Sequence, residues 1–206
     1  MGSKKDDRAI LNLTTKKVPK SIGRIPRRRS IRLPGYDYTH PGAYFVTICS
    51  HEYKPIFGKV LNGEMKLNES GQIVIRCWAQ LPSHFPQVEL DTFIVMPNHI
   101  HGIINITRKN VGATHASPLQ TEVRTRSGPK PGSLGAIVGS FKSAVTKRIN
   151  KLHNTPGTPV WQRNYFEHII RSDKALNAIR RYILNNPARW ELDRYYSMQS
   201  GPNLKA

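Results

Sequence analysis

Apolar side chains recur along this chain at two spacings, and these spacings predict where its strands and helices lie. Runs rich in β-branched and aromatic residues are typical of strands bounded by turns. Four such strands are predicted, at AYFVTICS, VELDTFIVMPN, HIHGIINI and VWQRNYFEHIIR. A tight turn near Pro97-Asn98 separates the second strand from the third. A short polar hairpin is predicted within IFGKVLNGEMKLN, because Asn62-Gly63 is a strong turn signal.

Helical spacing predicts three helices among these strands. The first lies in ESGQIVIRCWAQLPSHF, where apolar residues recur at steps of four and Pro82 marks a fraying end. The second follows its predicted N-cap, Ser133. Its apolar stripe consists of Leu134, Ile137, Val138, Phe141, Val145 and Ile149. The third, SDKALNAIRRYILNNP, begins at Ser172 and stops before Pro187.

The predicted order of elements is strand, helix, strand, strand, helix, strand, helix. This order is typical of the ferredoxin-like split βαβ repeat. We therefore expect an α+β fold: a ferredoxin-like sandwich with an antiparallel sheet and an added C-terminal helix. This catalytic domain should span 36–192 and include an exposed loop at 107–132, which lacks apolar periodicity. A basic N-terminal arm, 1–35, should precede it, and a tail, 193–206, should follow.

The charge of the chain indicates a polyanionic partner. It has 206 residues, with 32 Lys and Arg against 13 Asp and Glu, for a net charge of +19. So large an excess favours nucleic acid. A membrane surface is the weaker alternative, because the sequence has no basic amphipathic helix with a bulky apolar face and no apolar run long enough to cross a bilayer. We therefore expect no membrane partner.

The two cysteines, Cys49 and Cys77, make neither a disulfide framework nor a zinc set. Two isolated thiols are ordinary in a reducing compartment. Together with the basic charge, they predict a cytoplasmic, nucleoid-associated protein.

Two histidines interrupt the apolar strand MPNHIHGIINI. Residues two apart on a strand face the same way, about 6–7 Å apart along the chain, so His99 and His101 present two imidazoles on one face. Neutral imidazoles bind first-row divalent metals, although a pair of ligands needs a third to make a site. The alternative is a buried, hydrogen-bonded pair, which is the commoner use of this pattern.

The last helix offers a nucleophile and an oxygen ligand. Tyr182 and Asn186 are four residues apart and so share one helical face. A tyrosine hydroxyl can attack phosphorus once a metal polarises the phosphodiester, and an asparagine oxygen could complete the metal site. The alternative for Tyr182 is a core role beside its apolar neighbours. Tyr165, in WQRNYFEHIIR, is the rival nucleophile, with a structural or base-stacking role as its alternative.

These motifs together resemble one family. MPNHIHGI, a basic helix, WQRNYFEHIIR and IRRYILNNPARW, preceded by RSIRLPGYDYTHPGAYFVTICS, are similar to the REP-associated tyrosine transposases. These belong to the single-tyrosine, His-hydrophobic-His transposases. The resemblance extends from about residue 28 to residue 190, with the motifs in the same order, and excludes the loop 107–132.

The resemblance implies a metal-dependent enzyme that nicks and joins single-stranded DNA next to a hairpin. It implies that Tyr182 is the nucleophile, forming a 5′-phosphotyrosine link and a free 3′-hydroxyl. His99, His101 and Asn186 would then bind the metal, Mg²⁺ or Mn²⁺. Relatives act as homodimers that exchange the tyrosine helix or as monomers, so both arrangements stay open here.

Basic and aromatic residues are candidates for DNA contacts. The candidate basic residues are Arg27, Arg28, Arg29 and Arg32 of the arm and Lys142, Lys147 and Arg148 of the second helix. Tyr36, Tyr38 and Tyr44 are candidates for stacking on unpaired bases. The alternative for all the basic side chains is simple solvation at the surface.

Two other functions fit the same residues in part. A non-catalytic single-stranded nucleic-acid-binding module of ferredoxin-like fold is one, although neither AYFVTICS nor TFIVMPN contains an RNP-type aromatic motif. The other is a domesticated enzyme that processes dispersed repeats without moving itself. Its chemistry would be that of an active transposase.

Overall fold

The computed structural model describes residues 35–108 and 128–199. The predicted arm therefore lies outside the described residues, except for Gly35, and so do Arg27, Arg28, Arg29 and Arg32. Most of the predicted loop 107–132 lies outside them as well.

Four strands form one antiparallel sheet in the order β4-β5-β1-β6. They are β1 (Gly42–Cys49), β4 (Val88–Met96), β5 (His99–Ile106) and β6 (Phe166–Ile170). Strand β1 pairs with β5 on one side and β6 on the other. With β1 central, the sheet has the split βαβ topology, and the predicted ferredoxin-like fold is confirmed.

The predicted hairpin forms a separate two-stranded ribbon of β2 (Gly58–Leu61) and β3 (Glu64–Leu67). Both turn residues have positive φ, 52° at Asn62 and 74° at Gly63. Such a turn twists with the flanking strands and explains the Asn-Gly pair.

Three helices follow the predicted segments on one face of the sheet: α1 (Glu69–Ala79), α2 (Leu81–His84) and α3 (Leu134–His153). The single helix predicted from residue 69 towards 85 is instead two, because α1 ends at Ala79 and Pro82 lies in the first turn of α2. The predicted N-cap of α3 is confirmed, since the Ser133 hydroxyl accepts a hydrogen bond from the Ala136 N–H.

The main core lies between the sheet and these helices. Strand residues alternate between faces, and Tyr44, Val46 and Ile48 of β1 point into this core. The whole predicted stripe of α3 is buried there, from Leu134 to Ile149.

The opposite face of the sheet is covered by the last long helix, α4 (Asp173–Leu184). Phe45 and Ile103, which alternate with the core residues, pack against Ile179 and Ile183 of α4. Thr47, His99 and His101 share this face by the same alternation. Helix α4 is therefore docked on the face that carries the histidines.

The chain then crosses the end of this face. A 3-10 helix, Pro187–Leu192, leads to a short helix α5 (Arg194–Gln199). Trp190 and Tyr195 pack with Met96 in a small third cluster, and Tyr195 is only 3% exposed. Residues 193–199, predicted as part of a tail, thus continue the folded domain. Among the described residues, no helix is long and apolar enough to cross a membrane.

Candidate active site

The two histidines converge on one point beneath α4. Both side chains are fully buried, and their Nε2 atoms lie 3.0 Å apart. At this distance one ring donates an N–H to the lone pair of the other, because two lone pairs that face each other repel. Both Nε2 atoms are therefore directed at the same point, where a metal ion could replace the shared proton.

Neighbouring polar groups fix the orientation of both rings. The Asn98 Oδ1 accepts a hydrogen bond from Nδ1 of His99 at 2.9 Å, and the Asn98 amide donates to the Tyr195 carbonyl at 2.8 Å. This arrangement leaves the Nε2 of His99 as the lone-pair atom. The Thr47 hydroxyl lies 2.8 Å from Nδ1 of His101, its cross-strand neighbour. Such second contacts orient metal-binding histidines.

Burial keeps both imidazoles in the ligand form. Burial and, to a smaller extent, the nearby Arg194 charge together lower the pKa of His101 to about 3. The pKa of His99 is lowered for the same reason, with His101 and Arg194 adding to the effect. Neutral imidazole is the form that binds metals.

Tyr182 stands over this pair. Its hydroxyl oxygen lies 3.3 Å from Nε2 of His101, and its ring meets Phe45 edge-on. Helix α4 of the same chain places it there, so one chain brings its own tyrosine to its own histidines. Burial raises the pKa of Tyr182, and the charge of Asp193 raises it further. The phenol thus needs a nearby positive charge to lose its proton.

A carboxylate that the sequence reasoning missed completes a cluster. His99, His101 and Asp193 offer ligand atoms that all lie within 4.8 Å of one another. Asp193 accepts hydrogen bonds from the Tyr195 N–H at 2.8 Å and the Asn186 amide at 3.1 Å. Burial raises the pKa of Asp193. A metal ion would offset that cost, since it favours the ionised carboxylate.

Asn186 lies beside the same cluster, just beyond the end of α4. The helix ends at Leu184, and Asn186 directly precedes the 3-10 helix. Its side chain still reaches Tyr182, and their hydrogen bond lowers the pKa of the phenol against the larger effect of burial. Its amide donates to Asp193, while its buried Oδ1 has no hydrogen-bond partner in the part of the chain that the structure describes. A buried oxygen without a partner is costly unless a ligand satisfies it.

The donor set fits a divalent metal. Two imidazole nitrogens and one carboxylate converge in a mixed nitrogen and oxygen cluster, and Asn186, which contacts the carboxylate, has an unsatisfied amide oxygen. Oxygen donors suit Mg²⁺ and Mn²⁺, and imidazoles shift the preference towards transition metals. His99, His101, Asp193 and Asn186 are the residues that could hold such an ion.

Arg194, the residue after Asp193, places a positive charge beside the site. Its guanidinium lies 4.5 Å from the centre of the Tyr195 ring and donates to the Tyr195 hydroxyl. Its charge also acts on Tyr182, whose pKa it lowers against the larger effect of burial. Arg194 is thus in position to stabilise negative charge at the phenol.

The remaining sequence-predicted residues lie elsewhere. Tyr165 packs against the main core, on the face away from the histidines. Tyr44 is 0% exposed, so the prediction that it stacks on bases is wrong; the strand alternation turns it into the core. Tyr36 and Tyr38 are half-buried beside it, and their role stays a prediction.

The basic residues of α3 have contacts within the chain. Lys142 donates to the carbonyls of residues 162 and 163, at 2.6 and 3.0 Å. Arg148 donates to the Cys77 sulfur and the Gln80 side-chain oxygen. Lys147 is exposed. Helix α3 covers the face opposite the histidines, and a DNA-binding role for these three residues stays a prediction.

Sequence reasoning missed Asp193, Arg194, Thr47 and Asn98. Only Asn98 carried a usable signal, as a polar residue directly before the histidine strand. Thr47 reads as an ordinary β-branched strand residue. Asp193 and Arg194 follow the last predicted helix, in a segment with no apolar periodicity that would mark them as part of a site.

One curated relative matches most of the chain. It is an uncharacterized protein of Haemophilus influenzae (strain ATCC 51907 / DSM 11121 / KW20 / Rd), 45% identical over 175 residues. The match covers 84% of this chain and 94% of the relative. The chain belongs to the same family as this protein. No protein-family model matches the sequence.

A solved structure shows which fold this family has. A REP-associated tyrosine transposase, solved bound to a REP hairpin, superposes with a TM-score of 0.51 at 15% identity, covering 81% of this chain and 77% of that one. The family therefore has the fold of that transposase, as the sequence motifs predicted. A Deinococcus radiodurans protein named as a candidate transposase gives a TM-score of 0.41 at 16% identity, covering 75% of this chain and 95% of that one.

Proposed function

We propose that this protein is a metal-dependent enzyme that nicks and joins single-stranded DNA through a phosphotyrosine intermediate. The observation that carries the proposal is the 3.3 Å separation between the Tyr182 hydroxyl and Nε2 of His101, in a pair of buried neutral imidazoles. A nucleophile beside a metal-ligand pair is the constellation that phosphoryl transfer requires.

The proposed step exchanges one ester bond for another. The Tyr182 oxygen forms a bond to phosphorus, and the bond from phosphorus to the 3′ oxygen breaks. The departing oxygen leaves as a free 3′-hydroxyl, and the proton that it gains balances the one that the phenol loses. The DNA then carries its 5′-phosphate on Tyr182, and another 3′-hydroxyl can reverse the step without an external energy source.

Different residues of the site would bind the metal, position the nucleophile and stabilise the phenolate. His99, His101 and Asp193, with the Asn186 oxygen, would hold Mg²⁺ or Mn²⁺, which supplies positive charge to the phosphodiester oxygens. Helix α4 and the apolar contacts of Ile179 and Ile183 hold the nucleophile in position. Arg194 would stabilise the phenolate as the proton leaves.

The substrate follows from charge and from the structural neighbour. The net charge of +19 suits a DNA backbone. The neighbour was solved with a REP hairpin, and we therefore propose hairpin-flanking single strands as the substrate class. A chain with its own tyrosine at its own histidines has no need of a partner's tyrosine helix.

The test is the covalent adduct. Labelled single-stranded hairpin DNAs are incubated with the protein and Mn²⁺, and protein–DNA species that survive denaturation are counted. We expect an adduct with wild type, none with Tyr182→Phe, and an unchanged yield with Tyr165→Phe as the matched control. Adduct formation by Tyr182→Phe would refute the assignment of the nucleophile.

A second pair of variants separates catalysis from binding. His99→Ala and His101→Ala should abolish the adduct while hairpin binding, measured by mobility shift, is retained. If wild type binds a broad library of hairpins but makes no adduct on any of them, the enzyme proposal fails and the non-catalytic binding module replaces it.

A further inference from the structure

A cleft opens beside the candidate active site, between the β2–β3 hairpin and the C-terminal segment. Its volume is about 960 Å³. Lys59 and Val60 of the hairpin line one wall, and Arg189, Trp190 and Tyr196 line the other. The proposed catalytic step uses none of these residues.

The cleft adjoins the histidine pair through one shared side chain. Trp190 lines the cleft and is itself buried, and its ring centre lies 5.8 Å from that of His99. A strand that places its phosphate at Tyr182 would therefore run past this cleft.

The surface of the cleft combines apolar and basic groups. The Tyr196 ring meets Trp190 edge-on at 5.5 Å and remains 38% exposed. Leu192 is 82% exposed at the rim. The Lys59 and Arg189 side chains are exposed, and Glu191 is the acidic residue in the lining. Exposed aromatic rings next to basic side chains are how proteins hold unpaired bases together with their phosphates.

We propose that this cleft binds the unpaired nucleotides on one side of the scissile phosphate, with a base stacked on Tyr196 and phosphates on Lys59 and Arg189. This inference rests on the proposed function, because it deepens the same site by adding a substrate-positioning surface. A nucleotide strand suits the cleft better than a second copy of this chain, since Lys59 on one wall and Arg189 on the other attract phosphates and repel a chain whose net charge is +19.

Photo-cross-linking tests the contact directly. Hairpin oligonucleotides that wild type cleaves are made with 5-iododeoxyuridine at single positions on either side of the nick and bound to the Tyr182→Phe protein, which leaves them intact. We expect one or two adjacent positions to cross-link to the peptide that contains Tyr196. Cross-links from every position that all fall outside the cleft lining would overturn the proposal.

Substitutions measure how much the cleft residues contribute to DNA affinity. Tyr196→Ala should raise the half-saturating DNA concentration about tenfold, the loss of one stacked base, while Tyr196→Phe retains wild-type behaviour. The effect should vanish with oligonucleotides that lack the nucleotides on that side of the nick. Lys59→Ala should lower the salt slope of binding by about one, the loss of one phosphate contact. Lys151→Ala, an exposed lysine on α3, is the matched control and should lower it less.

The outcomes separate this proposal from the proposed function. If wild type makes no adduct, the enzyme proposal fails, whatever the cleft does. If wild type makes the adduct and Tyr196→Ala behaves like wild type with every oligonucleotide, the cleft proposal alone fails. If Tyr196→Ala converts a dimer into a monomer and leaves DNA binding unchanged, a second copy occupies the cleft and the proposal is overturned.

Discussion

An ion pair that ties the nucleophile helix to the sheet allows a quantitative test. Arg180, two residues before Tyr182, donates from Nε to both oxygens of Asp91, at 3.0 and 3.2 Å. Its terminal nitrogen lies 2.5 Å from Asp91 Oδ2. Asp91 belongs to edge strand β4, next to an irregularity in its pairing with β5. Arg180→Ala therefore removes a bidentate anchor of α4.

The expected cost follows from the titration of the carboxylate. The Arg180 hydrogen bonds are the largest cause that lowers the pKa of Asp91, from 3.8 to about 2, with Thr92 contributing. Such a shift corresponds to roughly 2 kcal/mol if it is fully retained. The Arg180 side chain is 40% exposed, against 11% for Asp91, so solvent screens the pair and we expect about 1 kcal/mol. The melting temperature should fall by about 2–4 °C.

The pH dependence has a definite sign. The pKa of Asp91 is lower in the folded chain than in the unfolded chain, so the pair stabilises the fold fully above 3.8 and loses that effect as the pH falls towards about 2. The stability difference between wild type and Asp91→Asn should therefore be constant between pH 5 and pH 7. It should shrink steadily below pH 4.

Urea unfolding at several pH values measures both quantities, and the adduct assay shows whether the anchor positions Tyr182. Arg181→Ala, the exposed neighbour on the same helix, is the matched control and should change stability little. The adduct yield of Arg180→Ala should fall modestly, since Ile179 and Ile183 still hold the helix. If Arg180→Ala is as stable as Arg181→Ala, or if the difference persists at pH 2, the reasoning is refuted.

Three further predictions concern the metal site and the sheet. Asp193→Asn should weaken Mn²⁺ binding, measured by calorimetry, at least about tenfold, because the carboxylate charge is lost; unchanged affinity would exclude it as a ligand. Thr47→Val removes the hydroxyl beside His101 Nδ1 at nearly constant volume and should weaken the same binding about tenfold. Gly102→Ala places a methyl group 2.5 Å from Trp78 Cζ2 and should cost about 1–3 kcal/mol of unfolding free energy, read from urea melts.

The fold was predictable because its elements are encoded locally. The α3 stripe, its Ser133 cap and the Asn62-Gly63 turn depend on residues a few positions apart, and each lies where the sequence places it. The break after Ala79 was missed, because apolar spacing continues across it to Leu81 and only the backbone shows that a second helix begins.

The site was predictable only in part. The strand period by itself put His99 and His101 on one face, and helical spacing singled out Tyr182 as a residue near the end of the last helix. Their approach to 3.3 Å depends on which face of the sheet α4 covers, and that is set by the packing of Ile179 and Ile183 against Phe45 and Ile103. No spacing within the sequence carries that information.

Asp193 shows most clearly where prediction from the sequence ends. Asp193 comes after the last predicted helix, in a segment with no apolar period to mark it as buried. It enters the site because Trp190 and Tyr195 anchor that segment against Met96, at the end of the histidine face. The sequence by itself thus determined the elements and the chemical character of the histidine strand. The tertiary structure alone decided which carboxylate faces it, because that choice depends on contacts between segments about ninety residues apart.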